Sequence, residues 1–466
     1  MSKRQNSLLK NAMIIAIGGL LVKLLGALYR IPLNNVLKAE GLGIYQTAFP
    51  TYLILMTFCG ASASSAITKI IASGENGKTV LKKSLALLLP VGIFGWFIMT
   101  FFSESLSALQ GNVQAKYSYV ALAPSLIFVS VISCFRGYFQ GKCDMKPTAA
   151  SQLTEQVVKI SVGLFLCFLF GSSPERGACL ACFAVSVSEL AATIHLIALY
   201  KSTEKSCVDF CRSNDKYLVN RLIAQLFPIA LTSTVLPLAK LFDSFVVVNV
   251  LNDYLKNATE LYGLYSGSVE SVIGMPVALC YGIAASVLPK VSAAEAKREN
   301  EESKRYVVQA LAYTLFVSAI AFAFLVFFPK FTVRILFPKI SAENKIVLRS
   351  LIVFSAINVV LLSVIQTSTS VLVAKGRPFA PALSLFCGLA AKIAVEIPLI
   401  KEPKINIFGT LYSDILYYFV AVISNIVYII VINAKGKNAN EVVSCGRGRA
   451  TRRLVAQNAG TGEKNG

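Results

Sequence analysis

The chain has 466 residues, of which 55% are hydrophobic and 15% charged, with 45 Lys+Arg against 24 Asp+Glu and a net charge of +21. Soluble proteins carry roughly 25% charged residues, so soluble domains of this composition would lack the polar surface to cover their cores, and the apolar excess excludes disorder. A mean hydropathy of +0.64 is also too high for a nucleic-acid-binding protein of pI 9.5, which leaves a polytopic, all-α membrane protein.

A spanning helix needs about 20 mostly apolar residues. Twelve segments meet that need, centred near residues 22, 56, 94, 127, 160, 188, 233, 277, 318, 361, 389 and 422. No strand-type alternation persists, so a β-barrel is not expected. Span one follows a short N-terminus, 1–10, with no small-residue cleavage site, which predicts a retained helix rather than a signal peptide. It carries Lys23 and Arg30, seven residues apart and so about 20° apart around a helix. Each central charge costs about 2.5–3.5 kcal/mol on insertion scales. A cationic stripe facing a water-filled cavity, where Arg grips an anion bidentately, is the functional expectation; snorkelling to opposite interfaces is the alternative.

Between spans two and three, Gly74-Glu75-Asn76-Gly77-Lys78-Thr79 resembles the end of a phosphate-binding loop, but its first glycine would be Ala72 and no strand precedes it. Gly137-xxx-Gly141 near span four and Gly263-xxx-Gly267 before span eight permit close helix approach. Span five carries Glu155 and Lys159 at i, i+4, span seven Lys240 and Asp243 at i, i+3, and span eleven Lys392 and Glu396 at i, i+4. Intrahelical pairing would neutralise each; together they predict a polar interior. Glu189, Glu270 and Asp414 also lie near or within spans, and His195, the single histidine, is expected to be structural. Eleven cysteines, including Cys179-xx-Cys182, are expected to be free thiols. Neither HExxH nor GxSxG occurs, and no loop is large enough for a catalytic domain, so an enzyme is not expected.

The terminal and even-numbered loops hold 29 Lys/Arg against 11 in the odd-numbered loops, which predicts both termini in the cytoplasm. Lys330, Arg334, Lys339, Lys345 and Arg349 depart from that rule by falling on the outer side, between spans nine and ten. The tail, 434–466, is basic, Gly- and Asn-rich and expected to be disordered, with its cations available to anionic lipid.

The two halves look duplicated. Asn35-Val36-Leu37 followed by Gly41-Leu42-Gly43-Ile44-Tyr45 has a counterpart in Asn249-Val250-Leu251 followed by Leu261-Tyr262-Gly263-Leu264-Tyr265, and Lys159-Ile160 in Lys392-Ile393. Each half has six spans, so the repeats keep one orientation and are related by a pseudo-two-fold along the membrane normal, with a substrate site between them. The expected organisation is an N-terminal lobe over 11–200, a cytoplasmic linker over 201–220, a C-terminal lobe over 221–433 and the tail.

The stretch Phe135-Arg136-Gly137-Tyr138-Phe139-Gln140-Gly141, followed by Met145-Lys146-Pro147-Thr148-Ala149, Ser151-Gln152 and Glu155-Gln156, resembles the stage V sporulation protein B group. That group belongs to the multidrug/oligosaccharidyl-lipid/polysaccharide exporter superfamily, with the lipid II flippases and the MATE transporters. Lys23 to Pro32 and Gly41 to Gln46 are similar to it as well. The resemblance implies a V-shaped, alternating-access exporter in the bacterial cell membrane, moving undecaprenyl-diphosphate-linked saccharides outward, for peptidoglycan in vegetative or sporulating cells or for another surface polysaccharide. It places the substrate diphosphate on Lys23, Arg30 and Lys159, and the cavity wall and gate on Arg136, Gln140, Glu155, Lys240 and Glu189. Asp243, Glu396 and Asp414 match acids that hold sodium in some relatives, and Lys392 could supply an internal ammonium instead. No cofactor is implied beyond a coupling ion, Na+ or H+, or the membrane potential. A monomer is expected. The lipid II flippases carry a further span-two arginine, absent from Tyr45 to Ala66 here, and two more helices than can be found after residue 433. A cation-coupled multidrug exporter and a non-transporting scaffold for cell-wall synthesis enzymes remain the competing expectations.

Overall fold

The computed structural model describes residues 3–204, 215–297 and 299–432, with side chains described from residue 19 onward except for a few positions, Lys23 among them. The linker centre and the basic tail lie outside the described residues, as does the side chain of Lys23. Nearly every described residue is helical, and none is in a strand. Among the described residues eleven helical stretches are long and apolar enough to cross a membrane. The first, Leu24–Ala72, has 49 residues, too long for one crossing of about 20, and accounts for predicted spans one and two.

The first half runs α1 (Lys3–Cys59), α2 (Ala61–Ala72), α3 (Gly77–Phe101), α4 (Ser103–Leu109), α5 (Lys116–Leu122), α6 (Ser125–Gly141), α7 (Lys146–Phe170) and α8 (Pro174–Glu204). The second runs α9 (Asp215–Asn252), α10 (Ala258–Tyr262), a π-helical segment (Gly263–Val269), α11 (Glu270–Lys297), α12 (Asn300–Phe327), α13 (Pro329–Leu336), α14 (Ala342–Ser355), α15 (Ile357–Ala374), α16 (Phe379–Lys401) and α17 (Phe408–Ile432). Two six-span lobes result, as expected from the duplication.

Local chemistry sets the breaks. Lys38, exposed and with φ of 57°, interrupts α1 and separates spans one and two. Gly74, with φ of +101°, ends the turn after α2, and Asn76 caps α3 by accepting from the Lys78 and Thr79 amides at 3.0 and 3.1 Å. The phosphate-loop lookalike is therefore a helix cap. The cationic stretch between spans nine and ten forms the short helix α13 and the start of α14, with Lys330 and Arg334 exposed.

Each lobe has its own apolar core. Ile67, Phe139 and Leu196 centre one cluster of the N-terminal lobe, Val291, Leu372 and Ile429 one of the C-terminal lobe. The start of α9, through Leu218 and Leu222, packs on the N-terminal cluster, while its later turns, through Val247, Val248 and Leu251, join a separate cluster with Leu351 and Leu411 of the C-terminal lobe. Gly137 and Gly141 bring α6 so near α2 that a Cβ at either would meet Ile67 or Ile71. Exposed Phe94, Phe168 and Phe316 present apolar surface to lipid. The eight described cysteines form no disulfide with one another.

Candidate functional site

A cavity of about 600 Å³ lies between the lobes. It follows α1 from Val22 to Asn34 and continues past the bend to Leu42, Gln46 and Phe49. From the N-terminal lobe it receives Arg30 and Lys159; from the C-terminal lobe, Lys240, Glu270 and Gln366. Arg30 is half-buried and has no ion-pair partner among the described residues. An unpaired guanidinium inside a membrane protein is costly unless water or an anion reaches it.

Behind Lys159 stands a charge network. Arg136 Nη2 meets Glu155 Oε2 at 3.0 Å, and Arg136 Nε donates to Ser151 Oγ at 3.0 Å. Lys159 Nζ lies 3.9 Å from the other Glu155 oxygen. With one carboxylate shared by two cations, Lys159 keeps part of its charge for the cavity. Arg136, Glu155 and Gln140 are not among the lining residues, nor is the buried Glu189. Gln140 instead meets Thr68 and Thr148 where α2, α6 and α7 converge. His195 pairs through Nδ1 with Thr154 Oγ1 at 2.7 Å, a contact between α7 and α8.

On the opposite wall the expected Lys240–Asp243 pair is not made. Lys240 Nζ turns into the cavity and meets Glu270 Oε2 at 2.5 Å, while Asp243, one turn on, points to the lobe interior. There Lys392 Nζ, fully buried, lies 2.7 Å from Asp243 Oδ1 and 3.7 Å from Glu396 Oε2, and donates to Asp414. Tyr265 donates its hydroxyl to Asp414 Oδ2 and lies 3.3 Å from Asp243 Oδ2. Glu396 is also fully buried, and neither of its carboxyl oxygens has a hydrogen-bond partner among the described residues. All four coupling-ion candidates thus meet in one cluster. Its central position is filled by the Lys392 ammonium, so the carboxylates do not fit a sodium ion there as arranged.

The two lobes close on each other at the bend end of the cavity. A Cβ on Gly43 would collide with the Thr259 carbonyl, and one on Gly263 with the Ala39 carbonyl, so glycine alone permits this approach. Gln46 Nε2 donates to the Ser266 carbonyl at 2.7 Å and Asn34 to Ser271 Oγ at 3.4 Å. Asn35 adds a clamp, donating to the Leu336 carbonyl at 2.6 Å and accepting from the Lys339 amide at 3.3 Å. Tyr265 and Glu270 were not assigned roles from sequence. The π-helical backbone that presents them leaves no mark in hydropathy; only the Gly263-xxx-Gly267 spacing pointed there.

The architecture is that of a multi-pass membrane protein with a cationic cavity between two six-helix lobes. Residues 8–267 match the family model described as polysaccharide biosynthesis protein, and the chain belongs to that family. It is 26% identical over 331 residues to the stage V sporulation protein B of Bacillus subtilis (strain 168), a match covering 68% of this chain and 64% of that relative. It is 21% identical over 453 residues to the lipid II flippase MurJ of the same organism, covering 91% and 82%. In solved structures, an inward-facing multidrug resistance MATE family transporter of the MOP superfamily has the same fold, with a TM-score of 0.71 at 16% identity, over 93% of this chain and 98% of that one. An outward-facing MATE transporter superposes with a TM-score of 0.68 at 16% identity, over 94% and 99%. The chain spans 64% of the length of stage V sporulation protein B, and with the MATE transporters it shares the fold.

Proposed function

We propose that the protein is a flippase for undecaprenyl-diphosphate-linked saccharides in the bacterial cell membrane, with both termini cytoplasmic. The observation that carries this reading is Arg30, in the interlobe cavity without a carboxylate partner among the described residues and accompanied by Lys159. A diphosphate is the part of such a lipid that cannot cross hydrocarbon unaided, and Arg binds phosphate bidentately. Lys23, two turns before Arg30 on α1, would extend the same stripe. Asn34, Gln46, Gln366 and Ser271 line the cavity too and offer hydrogen bonds to sugar hydroxyls. With this orientation the seal at Gly43 and Gly263 lies on the outer side, so the cavity is placed to load from the cytoplasm. Alternating access would then break the seal and deliver the headgroup outward.

Coupling fits a proton or the membrane potential better than sodium. Three carboxyls share one ammonium at Lys392, and a buried cluster with two net negative charges calls for a proton when sodium has no place. The experiment that tests the function is flipping of a fluorescent undecaprenyl-diphosphate saccharide in proteoliposomes. Wild-type protein should flip it, and Arg30→Ala should not; equal rates would overturn the assignment.

The second reading, a cation-coupled drug exporter, draws on the aromatic residues Tyr29, Tyr45 and Phe49 and the acid Glu270 in the cavity. Glu270 is already paired with Lys240, which leaves the cavity cationic. Multidrug hypersensitivity of a deletion strain with an intact cell wall would favour this reading.

A further inference from the structure

The π segment Gly263–Val269 touches three sites at once. Its seven residues are all buried. At one end Gly263 and the Ser266 carbonyl meet Gly43 and Gln46 in the seal. In its middle Tyr265 reaches the Lys392 cluster. At its far end it passes directly into Glu270, which holds Lys240 in the cavity. A π turn is less favourable than the α-helix on either side and persists where other contacts hold it. Tyr265 supplies such a contact, because a hydroxyl bound to an ionised carboxylate makes a hydrogen bond roughly twice as strong as a neutral one.

The geometry points to Tyr265 as the positioning residue that joins the charge of the buried cluster to the seal. With Asp414 and Asp243 ionised, its hydroxyl holds the π segment against α1. A proton taken up by that carboxyl pair turns the acceptor neutral, weakens the hold and frees the segment to rotate away from Gly43 and Gln46. The charged and titratable groups around Tyr265 are Asp243 and Lys240 of α9, Glu270 of α11, Lys392 and Glu396 of α16, and Asp414, Tyr417 and Tyr418 of α17, with Tyr262 one turn back on α10. None of these except Asp243 and Asp414 accepts from the Tyr265 hydroxyl.

This inference rests on the flippase reading for its purpose, but its test does not. Amide hydrogen exchange of segments 39–47 and 259–271 is measured on the full chain in lipid nanodiscs, at alkaline and mildly acidic pH, corrected for the intrinsic pH dependence of exchange. Wild-type exchange in both segments should rise about tenfold on acidification, the scale of one hydrogen bond to a charged group. Tyr265→Phe should exchange fast at both pH values while melting as a folded protein. Asp414→Asn, which makes the same acceptor neutral, should do likewise and stands in if Tyr265→Phe does not fold. Wild-type protein without a pH response, or variants that keep the slow exchange and the response, overturns the link. Flipping of the lipid-linked saccharide is assayed in parallel: its absence from wild-type protein defeats the flippase reading and leaves the exchange result standing.

Discussion

Gln46 and Ser266 are 220 residues apart and hydrogen-bonded, the Gln46 side-chain amide to the Ser266 carbonyl at 2.7 Å. The duplicated segments that contain them align at the same offset, Gly43 with Gly263 and Tyr45 with Tyr265. The seal is thus a contact of the repeat with itself across the pseudo-two-fold. Equivalent residues meet at the axis, as in a symmetric dimer interface. The same glycines that mark the duplication make the close approach possible.

Adding a methyl group at the axis should therefore be far worse than adding one on α11. The neighbours of a new Cβ at Gly43 or Gly263 are backbone carbonyls, which cannot rotate away, whereas at Gly274 nothing lies within 4 Å. Gly43→Ala and Gly263→Ala are expected to reduce flipping at least about tenfold, as the cost of a displaced backbone contact is on the order of 1–3 kcal/mol. Gly274→Ala should flip at the wild-type rate in the same proteoliposomes.

Arg30→Lys should be intermediate between wild type and Arg30→Ala. A lysine keeps the charge but presents a point donor where Arg presents a planar fork. Loss of one charge-assisted hydrogen bond, about 1.5–3 kcal/mol, would weaken diphosphate binding roughly ten- to a hundredfold. Competition by soluble diphosphate esters in a binding assay checks this, and an Arg30→Lys protein that binds like wild type would assign the phosphate to other residues.

How far the sequence reaches depends on whether a partner sits on the same helix. Lys392 and Glu396 are one turn apart and stand 3.7 Å apart in the structure, so their pairing could be read directly. Lys240 and Asp243 have nearly the same spacing, yet each finds its partner on another helix, Glu270 and Lys392. Helical spacing names the candidates for a pair; the packing of neighbouring helices chooses among them. Twelve spans were legible because hydropathy sets them, and the eleven apolar stretches agree once the bend at Lys38 is counted. The π segment was not, since Gly263–Val269 lies inside one continuous apolar stretch, Ala258–Glu295.

Lys392→Ala should destabilise the protein more than removal of any single acid around it. It leaves Asp243, Asp414 and Glu396 buried with no cation, and breaking a buried pair this way costs about 3–5 kcal/mol. The fourfold change Lys392→Met, Asp243→Asn, Asp414→Asn, Glu396→Gln should recover much of that stability, because no uncompensated charge remains. Thermal melting of the three proteins in detergent makes the comparison; a Lys392→Ala protein as stable as wild type would mean the cluster is held neutral by protons.

Replacing sodium by potassium or choline should leave wild-type flipping unchanged within about twofold, well below the tenfold that one lost ionic contact of 1.4 kcal/mol would produce. The reason is steric as much as electrostatic: the Lys392 ammonium occupies the centre of the carboxylates. A steep sodium dependence in proteoliposomes would require Lys392 to leave that position during transport.

Glu270 is expected to set the release of substrate rather than its capture. It holds Lys240 at 2.5 Å on the cavity wall that faces Arg30 and Lys159, so an incoming diphosphate must compete with it for the ammonium. The pair is partly exposed, with the Lys240 side chain 39% accessible, so its own strength is modest and a diphosphate can displace it. Once the headgroup is across, the freed Glu270 carboxylate is the nearest group able to reclaim Lys240 and expel the anion. Glu270→Gln removes that competitor while keeping the shape. Diphosphate-lipid binding should tighten about tenfold, and flipping at saturating substrate should slow by a similar factor, because tighter binding that is not reversed on the far side delays release. Lys240→Gln should do the opposite to binding, weakening it without slowing release. If Glu270→Gln instead binds more weakly, the carboxylate contacts the sugar directly and acts as a recognition group.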